Sequence, residues 1–164
     1  MNVIEINHIT KDYGNKRGIF DVSFTVKKGE VLGFLGPNGS GKTTTIRQLM
    51  GFIKPDHGEV KILGLDCFEK ANLVQKELGY LPGEIAFMEE MTGIQFIKFI
   101  AQMKNIKDMS KAEELMNFLE LDAQGKMKRM SKGMKQKIGL VIAFMQDSPI
   151  LILDEPTSGL DPLM

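Results

Sequence analysis

The pattern of apolar and polar positions near the start of the chain predicts two kinds of β-strand. Between residues 19 and 27 apolar and polar side chains alternate, which is typical of a strand with one buried face. A "KKGE" turn follows, and residues 31–36, "VLGFLG", are apolar on both faces, as in a strand covered on both sides within a parallel sheet. We therefore expect an antiparallel β region that leads into a parallel core. The predicted buried face of the first strand consists of Phe20, Val22, Phe24 and Val26.

Further along the chain, predicted strands and helices alternate. A helical pattern begins after Gly41 and ends near Gly51, and a second helical pattern lies at residues 68–78. Strands are predicted from "EVKIL" at residues 59–63 and from "LGYLP" at residues 78–82. This alternation is typical of an α/β fold.

A stretch with helical patterns and no strand interrupts the predicted α/β core. Two amphipathic segments in it open with capping boxes, and a third helical pattern begins at Lys132 and ends near Asp147. We interpret the methionines of the third pattern as core residues, although an adaptable contact surface is the alternative. The capping boxes pair Thr92 with Gln95 and Ser110 with Glu113. The predicted parts are an α/β core with its antiparallel region at 1–90, a helical insert at 91–147, and a return to the core at 148–164.

Composition and charge narrow the possible partners. The chain of 164 residues carries 21 lysines and arginines against 21 aspartates and glutamates, which removes any global electrostatic argument for nucleic acid or an acidic membrane. Its single cysteine, Cys67, cannot form an intrachain disulfide and fits a reducing cytoplasm. The apolar runs are far shorter than the ~20 residues that a membrane span requires. A membrane role would therefore need another polypeptide or further sequence.

A glycine-rich motif, "GPNGSGKTTT", lies between the apolar segment 31–36 and the first predicted helix. It fits the pattern G-x-x-x-x-G-K-[ST], in which backbone N–H groups surround phosphate oxygens at a helix N-terminus. In this arrangement Lys42 reaches the β- and γ-phosphates of a nucleotide, and the Thr43 hydroxyl binds Mg²⁺. The alternative is a glycine-rich turn with an incidental lysine. The predicted nucleotide-binding residues of the motif are Gly36, Pro37, Asn38, Gly39, Ser40, Gly41, Lys42, Thr43 and Thr44.

Two adjacent carboxylates, Asp154 and Glu155, follow the apolar run "ILIL". Parallel α/β sheets bind ligands at the carboxyl ends of their strands, which is where this pair would lie. We expect Asp154 to hold Mg²⁺ through water, and Glu155 to orient or deprotonate the attacking water as the catalytic base. The alternative is a buried strand that ends in two solvated acids.

Both motifs occur together with "RMSKGMKQKIGL" before the carboxylate pair and "SGLD" after it. In this combination the chain resembles the nucleotide-binding domain of an ABC transporter, from about Val3 to its last residue. The resemblance implies a P-loop NTPase fold with ATP and Mg²⁺ as cofactors. It also implies that Tyr13 stacks on adenine, with Phe20 as an alternative platform. Ser131 and Gly133 match the signature loop, which in this family faces the γ-phosphate of ATP held by a second subunit.

The chain departs from the family pattern at several positions. The signature loop has Lys132 where the family usually has glycine, and Met134 where glutamine is common. Gly83 stands where the family generally has a glutamine that contacts the metal and reports to the membrane subunit. The neighbouring Glu84 is either a substitute for that glutamine or an ordinary loop acid. The coupling residue therefore stays open.

The resemblance also bears on the end of the chain. Asp161 matches the acidic residue of the loop that crosses the dimer interface in this family. The strand that follows this loop, which inserts between the two motif-bearing strands, would lie beyond Met164, as would the family's histidine. We expect His8 and His57 to be solvated, and neither replaces that histidine. We therefore expect 1–164 to be a truncated portion of a longer chain, with the C-terminal part of the core missing.

The function implied by the resemblance is ATP binding and hydrolysis that energises transport across a membrane. The chain would be the cytoplasmic motor subunit, peripheral on the inner face of the cell membrane. Its partners would be a second nucleotide-binding subunit and a transmembrane permease on another chain, with no nucleic acid. A first alternative is a soluble ABC-type ATPase that acts on ribosomes or DNA, which the basic stretch "GKMKRMSKGMKQK" suggests although it lacks interleaved aromatic residues. A second is a fragment that binds nucleotide without catalysis.

Overall fold

The computed structural model describes residues 1–161, and the chain divides into two units between Glu77 and Leu78. The elements of the first unit are β1 (Asn2–Asp12), β2 (Gly18–Lys27), α1 (Lys42–Leu49), β3 (His57–Ile62), β4 (Leu65–Asp66) and α2 (Ala71–Val74), which the 3₁₀ turn Gln75–Glu77 extends. The four strands form one sheet in the order β2-β1-β3-β4, and every neighbouring pair is antiparallel. The predicted antiparallel region is confirmed.

The core of the first unit is formed by apolar residues of this sheet and of α1, which contacts β2 and β3. Burying a side chain of this size contributes about 1.5–3 kcal/mol, so the sheet and the helix stabilise each other. The single cysteine, Cys67, is also buried, and burial raises the pKa of its thiol to about 12. The thiol therefore stays protonated at neutral pH. The buried apolar residues of these elements are Ile4, Ile6, Ile9, Ile19, Val26, Ile46, Leu49, Val60 and Ile62.

A β-bulge changes the predicted alternation in β2. The register with β1 shifts between the pairs Ile9–Val22 and Lys11–Ile19, and Asp21 takes a left-handed conformation with φ 54°. The extra residue reverses the side-chain alternation on one side of the bulge. Ile19 is therefore buried and Phe20 is exposed, so the prediction that Phe20 belongs to the buried face is wrong.

The apolar segment 31–36 is not a strand in this structure, and the prediction of a buried parallel strand there is wrong. Val31 is 97% exposed and Leu35 is 92% exposed. Phe34 makes a ring contact with Phe24 of β2, with the ring centroids 5.3 Å apart. A strand exists only where its backbone groups pair with a neighbour, and no strand among residues 1–161 pairs with this segment. The sequence pattern identifies apolar side chains that a strand could bury. Their burial requires a partner strand beside the segment.

The helix predicted at residues 68–78 is shorter than expected. It is reduced to α2 and the 3₁₀ turn, because the Asp66 side chain accepts hydrogen bonds from the backbone N–H groups of Phe68 (2.9 Å) and Glu69 (2.8 Å). An aspartate that bonds to the backbone two and three residues later favours a turn over a helix. The helical segment therefore starts three residues later than predicted.

The second unit combines a parallel strand pair with three helices. Its elements are β5 (Leu78–Leu81), α3 (Gly93–Met103), α4 (Ser110–Phe118), the 3₁₀ turn Met127–Arg129, α5 (Lys132–Phe144) and β6 (Ile150–Leu153). β5 and β6 pair in parallel, from Leu78 with Ile150 to Leu81 with Leu153. The two predicted strands are confirmed, and their parallel pairing agrees with the predicted parallel core. Within 1–161, no helix is both long enough and apolar enough to cross a bilayer.

The three helices pack around a shared apolar cluster, and α5 also packs against β5. Of the methionines in the third predicted helix, Met145 is a buried member of this cluster and Met134 is partly buried against it, which confirms that they fill the core. Gly139 allows α5 to pack closely against Leu81 of β5 and against Ile85. A Cβ at this position would overlap side-chain atoms of Ile85 and lie 2.6 Å from the Leu81 side chain. The buried members of the cluster are Phe96, Ile97, Ala101, Ala112, Met127, Met130, Ile138, Val141 and Met145.

One of the two predicted capping boxes is present. The Thr92 side chain accepts from the Gln95 backbone and the Gln95 side chain accepts from the Thr92 backbone, so α3 starts as predicted. The cap predicted at Ser110 is wrong, because the N-cap of α4 is Met109 and Ser110 is already helical. The Asp108 carboxylate accepts the Ser110 backbone N–H (2.9 Å) and thereby starts the helix one residue earlier.

Candidate functional site

The glycine-rich motif forms an exposed loop that ends at the N-terminus of α1. Gly41 is the N-cap of the helix, with φ 95°, and its lack of a side chain means that no side-chain oxygen caps the first turn. A Cβ at Gly41 would overlap the Ile19 side chain, and one at Gly36 would lie 2.5 Å from the Ser40 hydroxyl oxygen. The loop is therefore tight at both ends. It presents a helix N-terminus whose dipole favours an anion.

Lys42 lies across this loop. Its Nζ donates hydrogen bonds to the carbonyl oxygens of Gly36 (2.6 Å) and Pro37 (3.0 Å). These bonds place the ammonium group against the backbone of the loop. It lies beside the N-terminus of α1, which begins at Lys42 itself. A cation and a helix N-terminus at one place favour a ligand with several negative charges, such as a polyphosphate. Thr43 is exposed on the first turn of α1, and its hydroxyl is a hard oxygen donor.

The carboxylate pair follows β6 in the second unit, and the two acids have different environments. Asp154 is 7% exposed, and its backbone N–H donates to the Leu81 carbonyl (2.9 Å), which extends the pairing of β5 and β6 by one step. Glu155 is exposed and has a left-handed backbone with φ 50°. A buried acid held by the sheet suits an electrostatic or metal-holding role, whereas an exposed acid after the strand is able to exchange protons with water.

Gly83 lies beside Asp154, and no pattern in the sequence indicated this contact. A Cβ at Gly83 would lie 3.3 Å from one carboxylate oxygen of Asp154. The position that carries glutamine in the family pattern is therefore adjacent to the Asp154 carboxylate, and the absence of a side chain leaves space beside that oxygen. Glu84 is exposed, so both interpretations of this residue, a substitute for the glutamine or an ordinary loop acid, stay open.

The signature loop contacts the "SGLD" loop within the second unit. Ser131 is the N-cap of α5, and its hydroxyl accepts the Met134 backbone N–H (3.2 Å). A Cβ at Gly133 would lie 2.7 Å from the Gly159 carbonyl oxygen, and a Cβ at Gly159 would lie 2.7 Å from the Lys132 side chain. Ser131 therefore has a structural role as a cap, and its predicted contact with nucleotide stays a prediction.

The remaining predicted residues lie at exposed positions. Tyr13 and Phe20 are both about half exposed, at 51% each, so both stay possible platforms for adenine. Asp161 is exposed. The His8 ring nitrogen lies 2.6 Å from the Asp21 carboxylate on the surface, and His57 is exposed, as expected of solvated histidines.

The chain is similar to several known proteins. The family model for ABC transporters matches residues 19–158. The uncharacterized ABC transporter ATP-binding protein YhcH of Bacillus subtilis (strain 168) is 37% identical, with 98% of this chain and 53% of that protein covered. The bacitracin transport ATP-binding protein BcrA of Bacillus licheniformis is 34% identical, again with 98% of this chain and 53% of that protein covered. The chain thus spans about half the length of these curated relatives.

A solved structure gives the same result for the fold. It is the dimeric structure of a post-hydrolysis state of an ATP-binding cassette bound to ADP and Pi. It superposes with a TM-score of 0.82 at 25% identity, with 98% of this chain and 77% of that chain covered. The P-loop NTPase fold predicted from the motifs is confirmed. The phosphate loop, the signature loop and the carboxylate pair all lie within the matched residues, and the chain belongs to the ABC transporter family of ATP-binding proteins.

Proposed function

We propose that the chain is the ATP-hydrolysing motor subunit of an ABC transporter, acting at the cytoplasmic face of the cell membrane. One observation carries the proposal: the chain builds both groups that phosphoryl transfer needs, each at the end of a regular element. Lys42 and the uncapped start of α1 supply positive charge for a triphosphate. Asp154 and Glu155 supply a buried acid and an exposed acid directly after β6. The transport role is supported by family membership and by relatives such as BcrA.

The chemistry of the oxygen donors at Thr43 and Asp154 supports a magnesium ion. Mg²⁺ prefers oxygen ligands and is usually held by one or two protein groups together with substrate phosphates and water. The Thr43 hydroxyl and the Asp154 carboxylate are such oxygen donors, and the glycine at position 83 leaves space beside one Asp154 oxygen. When bound, Mg²⁺ would neutralise negative charge on the phosphate oxygens. In our proposal Thr43 binds it directly and Asp154 holds it through water.

The chain's own residues then carry out hydrolysis in a defined order. The loop at 36–44 and Lys42 hold the β- and γ-phosphates of ATP, and Tyr13 or Phe20 supports the adenine ring. Glu155 accepts a proton from a water molecule whose oxygen forms the new bond to the γ-phosphorus. The bond between this phosphorus and the bridging oxygen of the β-phosphate breaks, and ADP and phosphate leave. Ser131 and Gly133 of a second subunit complete the site at the γ-phosphate.

The proposed assembly contains two nucleotide-binding subunits, identical or related, and a permease on another chain. A dimer is supported by the dimeric cassette that shares this fold.

Part of the basic stretch that suggested a nucleic-acid partner makes contacts within the chain. Lys126 and Lys128 form ion pairs with Glu90 at 3.0 Å and 2.7 Å, and Lys135 lies over the Phe87 ring at 5.8 Å. The hydrogen bonds from Lys128 and Lys126 hold the pKa of the Glu90 carboxyl below its usual value. These contacts favour a protein surface over a nucleic-acid interface.

Co-purification separates the proposed role from the alternatives. The polypeptide that the gene encodes is tagged and purified in mild detergent from its own cells, and the retained proteins and nucleic acids are identified. We expect a polytopic membrane protein in stoichiometric amount and ATPase activity in the complex. Ribosomes or nucleic acid in its place would favour the soluble ATPase. Nucleotide binding with no turnover, alone or with the membrane protein, would favour the non-catalytic alternative.

A further inference from the structure

The Gln136 side chain in the second unit connects α5 to the backbone of the proposed catalytic base. Gln136 is 6% exposed, and its Nε2 donates hydrogen bonds to the carbonyl oxygens of Glu155 (3.2 Å) and Pro156 (3.0 Å). The side-chain amide nitrogen has two N–H groups, and two successive carbonyls 19 and 20 residues away receive them. A buried amide is unfavourable unless it is hydrogen-bonded, so these contacts account for a polar residue at this buried position.

The backbone held by Gln136 is strained. Glu155 has φ 50°, in the left-handed region that is unfavourable for a residue with a side chain. Such a conformation persists only where the surroundings hold it in place. The preceding residue is tied to β5 by the bond from the Asp154 N–H to Leu81, and the following turn is closed by the Ser158 N–H, which donates to the Glu155 carbonyl (3.0 Å). Gln136 provides the tie from the helix side.

These ties hold the backbone from which the Glu155 side chain extends. The side chain is exposed, so the backbone angles at Glu155 set the direction in which it leaves the chain, and packing around the carboxylate contributes little. A catalytic base must lie within hydrogen-bond reach of the proton it accepts, and a displacement of about 1 Å is enough to cost about 10²-fold in rate. Loss of the bonds from Gln136 would let the Glu155–Pro156 backbone relax out of its strained conformation.

We propose that Gln136 is a positioning residue that directs the Glu155 carboxylate toward the attacking water by holding the Glu155 and Pro156 carbonyls. The proposal rests on the proposed function of Glu155 as the base. Gln136 is assigned no contact with nucleotide or metal, so it affects the chemical step and leaves the affinity for ATP unchanged. No sequence pattern indicated this role, because the partners lie 19 and 20 residues away.

The test is Gln136→Met in the full polypeptide as its gene encodes it, which removes both donors at similar side-chain volume. We expect kcat for ATP hydrolysis to fall about 10- to 100-fold while KM stays within about twofold. Gln102→Met is the matched control, the same exchange at an exposed position of α3, and it should leave kcat within about twofold. Urea unfolding of each variant shows whether the fold is intact. Gln136→Glu, which keeps the side-chain length and cannot donate when ionised, is the second variant if the methionine variant does not fold.

A double-mutant cycle with Glu155→Gln identifies the route of the effect, measured in single turnovers with enzyme in excess. If Gln136 acts through Glu155, adding Gln136→Met to Glu155→Gln lowers the rate by no more than about twofold. A further loss as large as in the parent background would overturn the proposal, and so would unchanged kcat in Gln136→Met. KM and the urea midpoint shifting together with kcat would indicate a structural role only. If Glu155→Gln alone hydrolyses ATP at the parent rate, the base assignment itself fails, and the positioning role fails with it.

Discussion

Replacing Glu155 by glutamine is expected to lower ATP turnover by about 10²–10⁴-fold, which is the range for loss of a general base, while ATP still binds. Glutamine keeps the size of the side chain and does not accept a proton from water. The change leaves Lys42 and the phosphate loop, which hold the triphosphate, as they are. ATP that binds without being hydrolysed should therefore keep two subunits together, and gel filtration with ATP and Mg²⁺ should show a stable dimer.

The control for this variant has the same residue type in a similar backbone conformation. Glu120 is exposed, follows α4 and has φ 49°, close to the 50° of Glu155. Glu120→Gln should hydrolyse ATP at the parent rate and should not trap a dimer. Normal turnover by Glu155→Gln would show that the base is another group, with Glu84 as the next acid to test.

Replacing Lys42 by alanine is expected to weaken ATP binding by about 10²-fold or more. Truncating one partner of a hydrogen-bonded charge pair typically costs about 2–5 kcal/mol, and each 1.4 kcal/mol is a factor of ten. In the structure the Lys42 ammonium bonds to the loop carbonyls of Gly36 and Pro37, so alanine also leaves these carbonyls without that donor. Calorimetric titration with a nonhydrolysable ATP analogue and Mg²⁺ measures the loss.

Lys70 provides a matched lysine in the same unit. It is exposed and lies just before α2, outside the phosphate loop. Lys70→Ala should bind the analogue with unchanged affinity. An affinity of Lys42→Ala within about threefold of the parent would contradict the role assigned to Lys42, because the backbone amides and the helix N-terminus would then bind the phosphates without the ammonium group.

Much of the fold could be predicted because the signals are local. Period-two alternation and short apolar runs predicted β2, β3, β5 and β6, and the capping box at Thr92 predicted the start of α3. The motif at 36–45 and the pair Asp154–Glu155 were both found from residue types and spacing alone. Features of this kind depend on neighbours within a few residues, which the sequence displays directly.

The features that could not be predicted depend on distant partners. The pattern at 31–36 indicated a buried strand, yet burial requires a neighbouring strand, and Val31 and Leu35 are exposed. The bulge at Asp21 depends on the register between β1 and β2. The contacts of Gly83 with Asp154 and of Gln136 with Glu155 join elements that are far apart in sequence. Side chains that support a site from another element leave no local pattern, so a structure is needed to find them.

In the proposed function, the phosphate loop and the acid after β6 share one magnesium ion on a bound triphosphate. A crystal structure of the polypeptide that the gene encodes, with a nonhydrolysable ATP analogue and Mg²⁺, tests it most directly. We expect the metal at ~2.0–2.1 Å from the Thr43 hydroxyl oxygen, with the Asp154 carboxylate joined to it through one water molecule. A metal bound to the phosphates with Asp154 farther away than one bridging water, in a protein folded throughout, would contradict this claim.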